Sequence, residues 1–461
     1  MLVEGWFLTR PSIIQYPGSC RGIRGELCEL MAMLYPSVVE HHEEALPRIT
    51  AASVSTFPPR ECGIATYTRD LIRAIDACDL GTITQVVAIN DETVYRYGRQ
   101  VRWEIAQHDL DSYLDAAAAL SRSSVDVVNL QHEFGIFGRE WGSYVLDFAE
   151  ELSKPLVTTL HTVLPDPPTR PRKILRTLCE RSEAVVAMTP TAVDLLRRDY
   201  GVDGSRLRVI PHGVPSVSWQ DAGEVRAKVG LAGRRVLSTF GLINPGKTIE
   251  DVIEALTLVV PHCPAAMYVV LGQTHPAIRR TQGEEYRHRL IGLVRRLGLE
   301  RHVVFENRYL SDDELCTYLM ATDVYITPYH NPNQIVSGTL SYALGCGRAI
   351  ISTPYLYARD ALADGRGLLV PFQDPPAIAE AILRVLSDVA LRTQLQRKAF
   401  AFGKLMRWPR VAAAYVDLFR QVVGQGARPS GVLRRSDRAQ TPIAGNEFPY
   451  VPGGIRVEDA P

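Results

Sequence analysis

In the run FGLINPGKT (240–248), Asn244, Gly246 and Lys247 stand between a β-branched apolar stretch and a helical one. A lysine ammonium beside the free N–H groups of a helix start holds phosphate or diphosphate by charge and directed hydrogen bonds. A second segment, HNPNQIVSGTLSYALGCGR (330–348), puts Gln334, Ser337, Gly338 and Thr339 at a predicted helix start, with Tyr342 further along it. Its glycines allow close backbone approach to a ligand, and equally suit a helix packed tightly on a sheet. Three further loops place polar residues directly after apolar runs: His132 and Glu133 in QHEFGIFGREWG (131–142), His161 after LVTTL, and His275 after VVLGQT. Adjacent ionisable groups at such positions mark sites more often than cores. Gly63, in TFPPRECGIATYTRDL (56–71), suits either a tight strand-to-helix turn or the edge of a phosphate or sugar site.

Short motifs exclude as much as they suggest. GLINPGKT matches the P-loop pattern literally, but its strand lies mid-chain and no acid suited to a magnesium site follows the later strands. A GxGxxG fingerprint is absent, which argues against an ordinary dinucleotide oxidoreductase. No clustered carboxylates stand at a strand end, so a metal is not demanded.

These loops need a scaffold, and the apolar runs supply one. Hydrophobic residues are 46% and charged residues 22% of the 461, as in a globular protein. Lys plus Arg and Asp plus Glu are 51 each. That balance gives no global field to attract nucleic acid, so any anion site must be local. Cysteines at 20, 28, 62, 78, 179, 263, 316 and 346 have neither disulfide-framework nor zinc spacing and read as reduced thiols. With no apolar run long enough to span a bilayer and an N-terminus unlike a secretory signal, the expectation is a cytoplasmic protein.

Strand-length runs alternate with helical stretches in two series. The first runs through 49–56, 85–89, 125–130, 155–160, 183–188 and 207–211, the second through 235–241, 266–272, 302–306, 323–328, 347–353 and 367–372. Such alternation predicts parallel sheets covered by helices on both faces. The expected organisation is an N-terminal extension (1–48), two Rossmann-like doubly wound α/β domains (49–217 and 218–402) facing across a cleft, a helix returning to the first domain (403–424), and a disordered tail (425–461). In such sheets ligands bind beyond the carboxyl ends of the strands, where the polar loops lie.

Over about residues 49–425 the chain resembles the retaining nucleotide-sugar glycosyltransferases of group 1, a family-4-like GT-B group. The resemblance rests on the Gly63 loop, His161 in LHT, VIPHGV (209–214), the strand and loop reaching Lys247, YALGCGRAIIST (342–353) and LADGRGLLVPF (362–372). It implies a donor bound on the second domain, an acceptor on the first, and no tightly bound cofactor. The donor would be a nucleotide diphosphate sugar and the acceptor a sugar, glycoside or lipid-linked molecule, compatible with peripheral membrane contact. Lys247 matches the residue that neutralises the leaving diphosphate; Ser337, Gly338 and Thr339 match the helix start under the phosphates; His161 matches the histidine near the transferred sugar. Four positions depart: Leu242 replaces an arginine, Gln334 and Tyr342 replace paired glutamates that hold sugar hydroxyls and ribose, and His212 replaces an asparagine. With those departures the resemblance implies hexosyl transfer, mannose or glucose, and also admits a phosphate-using glycoside phosphorylase or a catalytically silent sugar-binding relative.

Overall fold

The computed structural model describes residues 48–425 apart from 79 and 221. The expected N-terminal extension and C-terminal tail, with Cys20 and Cys28, lie outside the described residues.

The first lobe contains, in chain order, β1 (Ile49–Ser55), α1 (Gly63–Cys78), β2 (Thr82–Asn90), β3 (Val101–Ala106), α2 (Leu110–Arg122), β4 (Val127–His132), α3 (Tyr144–Glu151), β5 (Leu156–Leu160), α4 (Thr169–Arg181), β6 (Ala184–Ala187), α5 (Pro190–Tyr200) and β7 (Leu207–Val209). The second contains α6 (Ala222–Lys228), β8 (Arg235–Phe240), α7 (Ile249–Val259), β9 (Ala266–Leu271), α8 (Pro276–Gln282), α9 (Glu285–Arg296), β10 (Val303–Glu306), α10 (Asp312–Ala321), β11 (Val324–Thr327), α11 (Gly338–Gly345), β12 (Ala349–Ser352), α12 (Leu356–Leu362), β13 (Leu368–Leu369), α13 (Pro375–Ser387) and α14 (Val389–Gly403). The helix α15 (Trp408–Gln425) follows and packs on α1.

Both sheets are parallel, ordered β3-β2-β1-β4-β5-β6-β7 and β10-β9-β8-β11-β12-β13. Side chains alternate across each strand. In β1, Ala52 and Val54 enter the core shared with α2 to α5, while Ile49 and Ala51 enter the core shared with α1 and α15. In the second sheet, Val324 and Ile326 pack with α7 and α13, and Tyr325 packs with α10 and α11. Two-sided burial is why these strands read as continuous apolar runs rather than alternating ones.

β3 joins the first sheet beside the strands expected from sequence, and α8, α12 and α14 join the helices. β13 covers two residues where six were expected. Thr248 occupies the cap position of α7 without its side chain bonding the helix. Its backbone is left-handed (φ 42°) and its hydroxyl donates to the Pro328 carbonyl. Among the described residues no helix is long and apolar enough to cross a membrane.

Two chain passages link the lobes side by side. Val214 N–H donates to Met406 O (2.8 Å), and Trp408 N–H donates to Val214 O (3.0 Å). Gly213 is needed there because a Cβ would stand 2.1 Å from the Trp408 ring.

Candidate active site

Strand order reverses direction between β1 and β4 in one sheet and between β8 and β11 in the other, so each sheet opens a crevice at that switch point. The loops leaving these strands build one cleft of ≈ 370 Å³ between the lobes. Gly63, Tyr67 and Asp70 line it from α1, His212 from the linker, Asn244, Lys247 and His275 from the loops after β8 and β9, and Gly338, Thr339 and Tyr342 from α11.

The cleft floor is glycine. Gly241 and Gly272 directly follow β8 and β9, with φ of 133° and 122°. A Cβ on Gly272 would lie 2.1 Å from the Gly241 carbonyl oxygen, and one on Gly241 would meet Lys247 and Thr339 at 3.1 Å. The backbones therefore touch, and the space above them is left to Lys247.

A single 3-10 turn, Pro245–Lys247, presents that lysine, and the Thr248 bond to the end of β11 fixes the turn. Lys247 Nζ donates to the Tyr329 hydroxyl (2.8 Å) and lies 4.4 Å from that ring's centroid. Tyr329 OH also pairs with Thr339 Oγ1 (2.7 Å). Burial pushes the ammonium down to about 8, and no carboxylate among the described residues offsets it. An ammonium has three protons. One is used, so two remain for an anion.

The neighbours also present donors. Ser337 caps α11, its hydroxyl accepting from Leu340 N–H (3.3 Å), which leaves the N–H groups of Gly338 and Thr339 at the cleft wall. His275 caps α8, its Nδ1 accepting from Ala277 N–H (3.2 Å), so its remaining proton sits on Nε2. Burial, then Lys247 and Arg280, lowers its affinity for a second proton.

Imidazoles gather on the first lobe's side. His212 Nδ1 donates to the Gly213 carbonyl (2.7 Å), which leaves Nε2 unprotonated. A Cβ on Gly338 would come within 2.9 Å of that Nε2. The Tyr67 ring meets His161 edge-on (4.9 Å between centroids) as well as His212 (5.1 Å) and Trp408 (5.4 Å). His161 is held by a 2.9 Å bond between its Nε2 and Gln131 Oε1. Burial lowers His161 to about 3 and His212 to about 4, so both are neutral at physiological pH.

Several expected site residues stand away from the cleft lining. His132 is wholly buried, stacked on Phe137 (5.6 Å) and edge-on to Phe134 (4.9 Å), because β4 runs to residue 132 and keeps the ring inside the sheet packing. Glu133 accepts from Thr162 (2.5 Å) and from the Phe134 and Gly135 amides, so its carboxylate braces its own loop. Gln334 precedes α11, with Nε2 donating to Val336 O (3.1 Å), and neither it, Ser337 nor Gly246 lines the cleft. His161 stands behind Tyr67 rather than in the lining. Tyr67, Asp70 and Tyr329 were not expected from sequence. Tyr329 carried the same strand-end signal as its neighbours, two residues after β11; Tyr67 and Asp70 look like ordinary helix positions.

Two family models match the halves of the chain: Glycosyltransferase Family 4 over residues 62–216 and Glycosyl transferases group 1 over residues 234–388. The D-inositol 3-phosphate glycosyltransferases of Kineococcus radiotolerans and Acidothermus cellulolyticus are 27% and 26% identical over 312 and 289 residues, spanning 61% and 59% of this chain and 70% and 63% of theirs. The phosphatidyl-myo-inositol mannosyltransferase of Mycolicibacterium smegmatis is 27% identical over 291 residues, 62% of this chain and 70% of its own. The chain thus spans about two thirds of these relatives. Among solved structures, Anabaena HepE in complex with UDP and glucose superposes with a TM-score of 0.64 at 15% identity, covering 80% of this chain and 99% of that one. Sucrose-phosphate synthase from Thermosynechococcus elongatus gives 0.66 at 20% identity, covering 82% and 100%. The paired crevices, the glycine floor and the two matched halves have one meaning: this chain belongs to the group 1, family-4 glycosyltransferases, enzymes of the GT-B fold.

Proposed function

We propose that the chain transfers a hexose, mannose or glucose, from a nucleotide diphosphate sugar to a hydroxyl of a sugar, glycoside or lipid-linked acceptor, with retention at the anomeric carbon. One observation carries the reading: a half-buried lysine without a carboxylate partner faces the cleft above a glycine floor. Such a charge is expensive until an anion arrives, which suits a diphosphate. The names of similar proteins support the rest, since UDP and glucose occur with HepE and inositol phosphate or phosphatidylinositol names the acceptors of the curated relatives.

In this mechanism the bond between the anomeric carbon and the donor phosphate oxygen breaks, and the acceptor oxygen bonds to that carbon on the same face. The acceptor proton passes to the departing phosphate oxygen. Charge grows on the diphosphate as the bond stretches, and Lys247, the His275 Nε2–H and the α11 amides donate to it there. His161 and His212, held neutral, support the sugar side through Tyr67. No step needs a protein nucleophile.

Incubating purified protein with UDP-, GDP- and ADP-linked glucose and mannose, with inositol phosphate, phosphatidylinositol and simple glycosides as acceptors, tests the proposal. Release of nucleoside diphosphate with formation of an α-linked product from an α-linked donor is expected. The absence of both hydrolysis and transfer across the panel would sink it.

A further inference from the structure

The donors described above suit phosphate oxygens, but none of them accepts the proton of a hydroxyl. Asp70 does. It stands on α1 of the first lobe, is 7% exposed and lines the cleft, where the side chain of the other carboxylate among the described lining residues, Asp312, is 37% exposed. Arg69 holds both: its Nε reaches Asp70 Oδ1 (2.7 Å), and its Nη2 reaches Asp70 Oδ1 (2.6 Å) and Asp312 Oδ2 (2.8 Å). Across the cleft the Tyr342 hydroxyl donates to Asp70 Oδ2 (3.2 Å). An ionised carboxylate has no proton to give, so each further bond Asp70 makes is accepted from a ligand. The arginine crowds Oδ1, and Oδ2 retains a lone pair. Tyr342, its proton spent on Asp70, is left as an acceptor too.

We propose that Asp70 Oδ2 accepts a hydroxyl of a vicinal diol on the donor, so that the first lobe reads hydroxyls of a ligand whose phosphates rest on the second. This rests on the nucleotide-sugar reading above. It makes Asp70 a specificity-determining residue supplied from the opposite lobe, with Tyr342 fixing its free oxygen. The diol is that of the ribose or of the transferred hexose, and the two sources are separable.

Titration calorimetry on the unaltered protein and on Asp70→Asn uses UDP, GDP and ADP, each against its 2′-deoxy counterpart, and the corresponding nucleotide glucose against its 2-deoxyglucose analogue. Loss of one hydrogen bond to a charged acceptor changes affinity by about tenfold or more. The unaltered protein is expected to discriminate against one deoxy analogue to that extent, and Asp70→Asn to erase most of the difference while its melting temperature stays close to that of the parent. Discrimination at the nucleoside marks the ribose, and at the sugar the hexose. Should Asp70→Asn not fold, Tyr342→Phe, which removes only the hydroxyl that fixes Oδ2, carries the same comparison and should shrink the same preference. Discrimination that survives unchanged, or was never present in the unaltered protein, overturns the inference alone. Absence of any nucleotide binding to the unaltered protein overturns the donor reading and this inference with it.

Discussion

Replacing Lys247 by Met should make the free protein more stable and the enzyme inactive. Burial lowers the ammonium from 10.5 to about 8. At about 1.4 kcal/mol per unit this is about 3 kcal/mol of unfavourable charge burial. The half-buried stem and the Tyr329 hydroxyl relieve part of it, so the expected gain is about 1–2 kcal/mol at neutral pH. Methionine keeps the stem's volume, and Tyr329 OH keeps its bond to Thr339, so no buried hydroxyl is orphaned. The sign follows from proton binding: between 8 and 10.5 the unfolded chain holds the lysine proton and the folded chain does not, so parent stability rises with pH there. The variant's advantage should be full below 8 and gone above 10.5. Saturating nucleoside diphosphate should invert the order, because only the parent gains the binding term, about 2.7 kcal/mol at a hundredfold excess over Kd. Denaturant melts with and without ligand, at about pH 7 and pH 10, read all of this, and turnover should fall by at least about tenfold. A variant less stable than the parent at neutral pH, or one that binds the diphosphate equally well, would refute the account of Lys247 as an uncompensated charge awaiting its anion.

Three further outcomes follow from the same geometry. In the free enzyme kcat/KM should decline above pH about 8 as Lys247 loses its proton, with the corresponding limb of kcat displaced upward because bound diphosphate favours the ammonium; a limb near 6 or 7 would instead point to an imidazole and contradict the neutral state of His161 and His212. Gly272→Ala places a Cβ 2.1 Å from the Gly241 carbonyl at a φ of 122°, so stability should fall by at least about 3 kcal/mol in urea melts, and a loss under about 1 kcal/mol would mean that the floor is looser than described. Gly338→Ala drives a methyl against His212 Nε2 at 2.9 Å, and that ring is pinned by Gly213 and packed by Tyr67. A stability loss of about 1–3 kcal/mol is expected, recovered in part when His212→Ala is added, and strictly additive effects would deny the contact.

What could be read from the sequence depended on how directly each residue's position follows from its neighbours in the chain. The buried strands announced themselves because both faces of each sheet are covered, leaving few polar interruptions. β3 did not, for it is an edge strand whose Arg102 and Glu104 turn outward and break the apolar run. α14 was missed since it buries a narrow stripe, Leu395, Ala399 and Gly403, that hardly differs from a polar loop. At the site, the strand-end rule brought Asn244, Lys247, His275 and the α11 glycine together. It misplaced His132 because β4 ends two residues later than its apolar run, and a two-residue error turns a loop side chain into an interior one. Asp70 had no such signal. It lies within a helix among buried neighbours such as Thr68 and Leu71, and its cleft partner, Tyr342 on α11, is 272 residues away in the chain.

That contact depends on the paired crossings between lobes, and there the linker and the site share atoms. Trp408 packs its ring under Gly213 and against both Tyr67 and His212, while the chain that carries it donates to Val214. Tyr67 in turn bonds Tyr415 on α15 (3.1 Å), and Tyr415 bonds Thr159 on β5 (2.9 Å). The last helix is therefore a brace for the first lobe's half of the cleft rather than an appendage to the second lobe. A linker that moved freely would carry His212 away from Gly338 and separate Asp70 from Tyr342. Because a packed tryptophan and a forced glycine stand at that crossing, the chain leaves little room there for the two lobes to slide past one another.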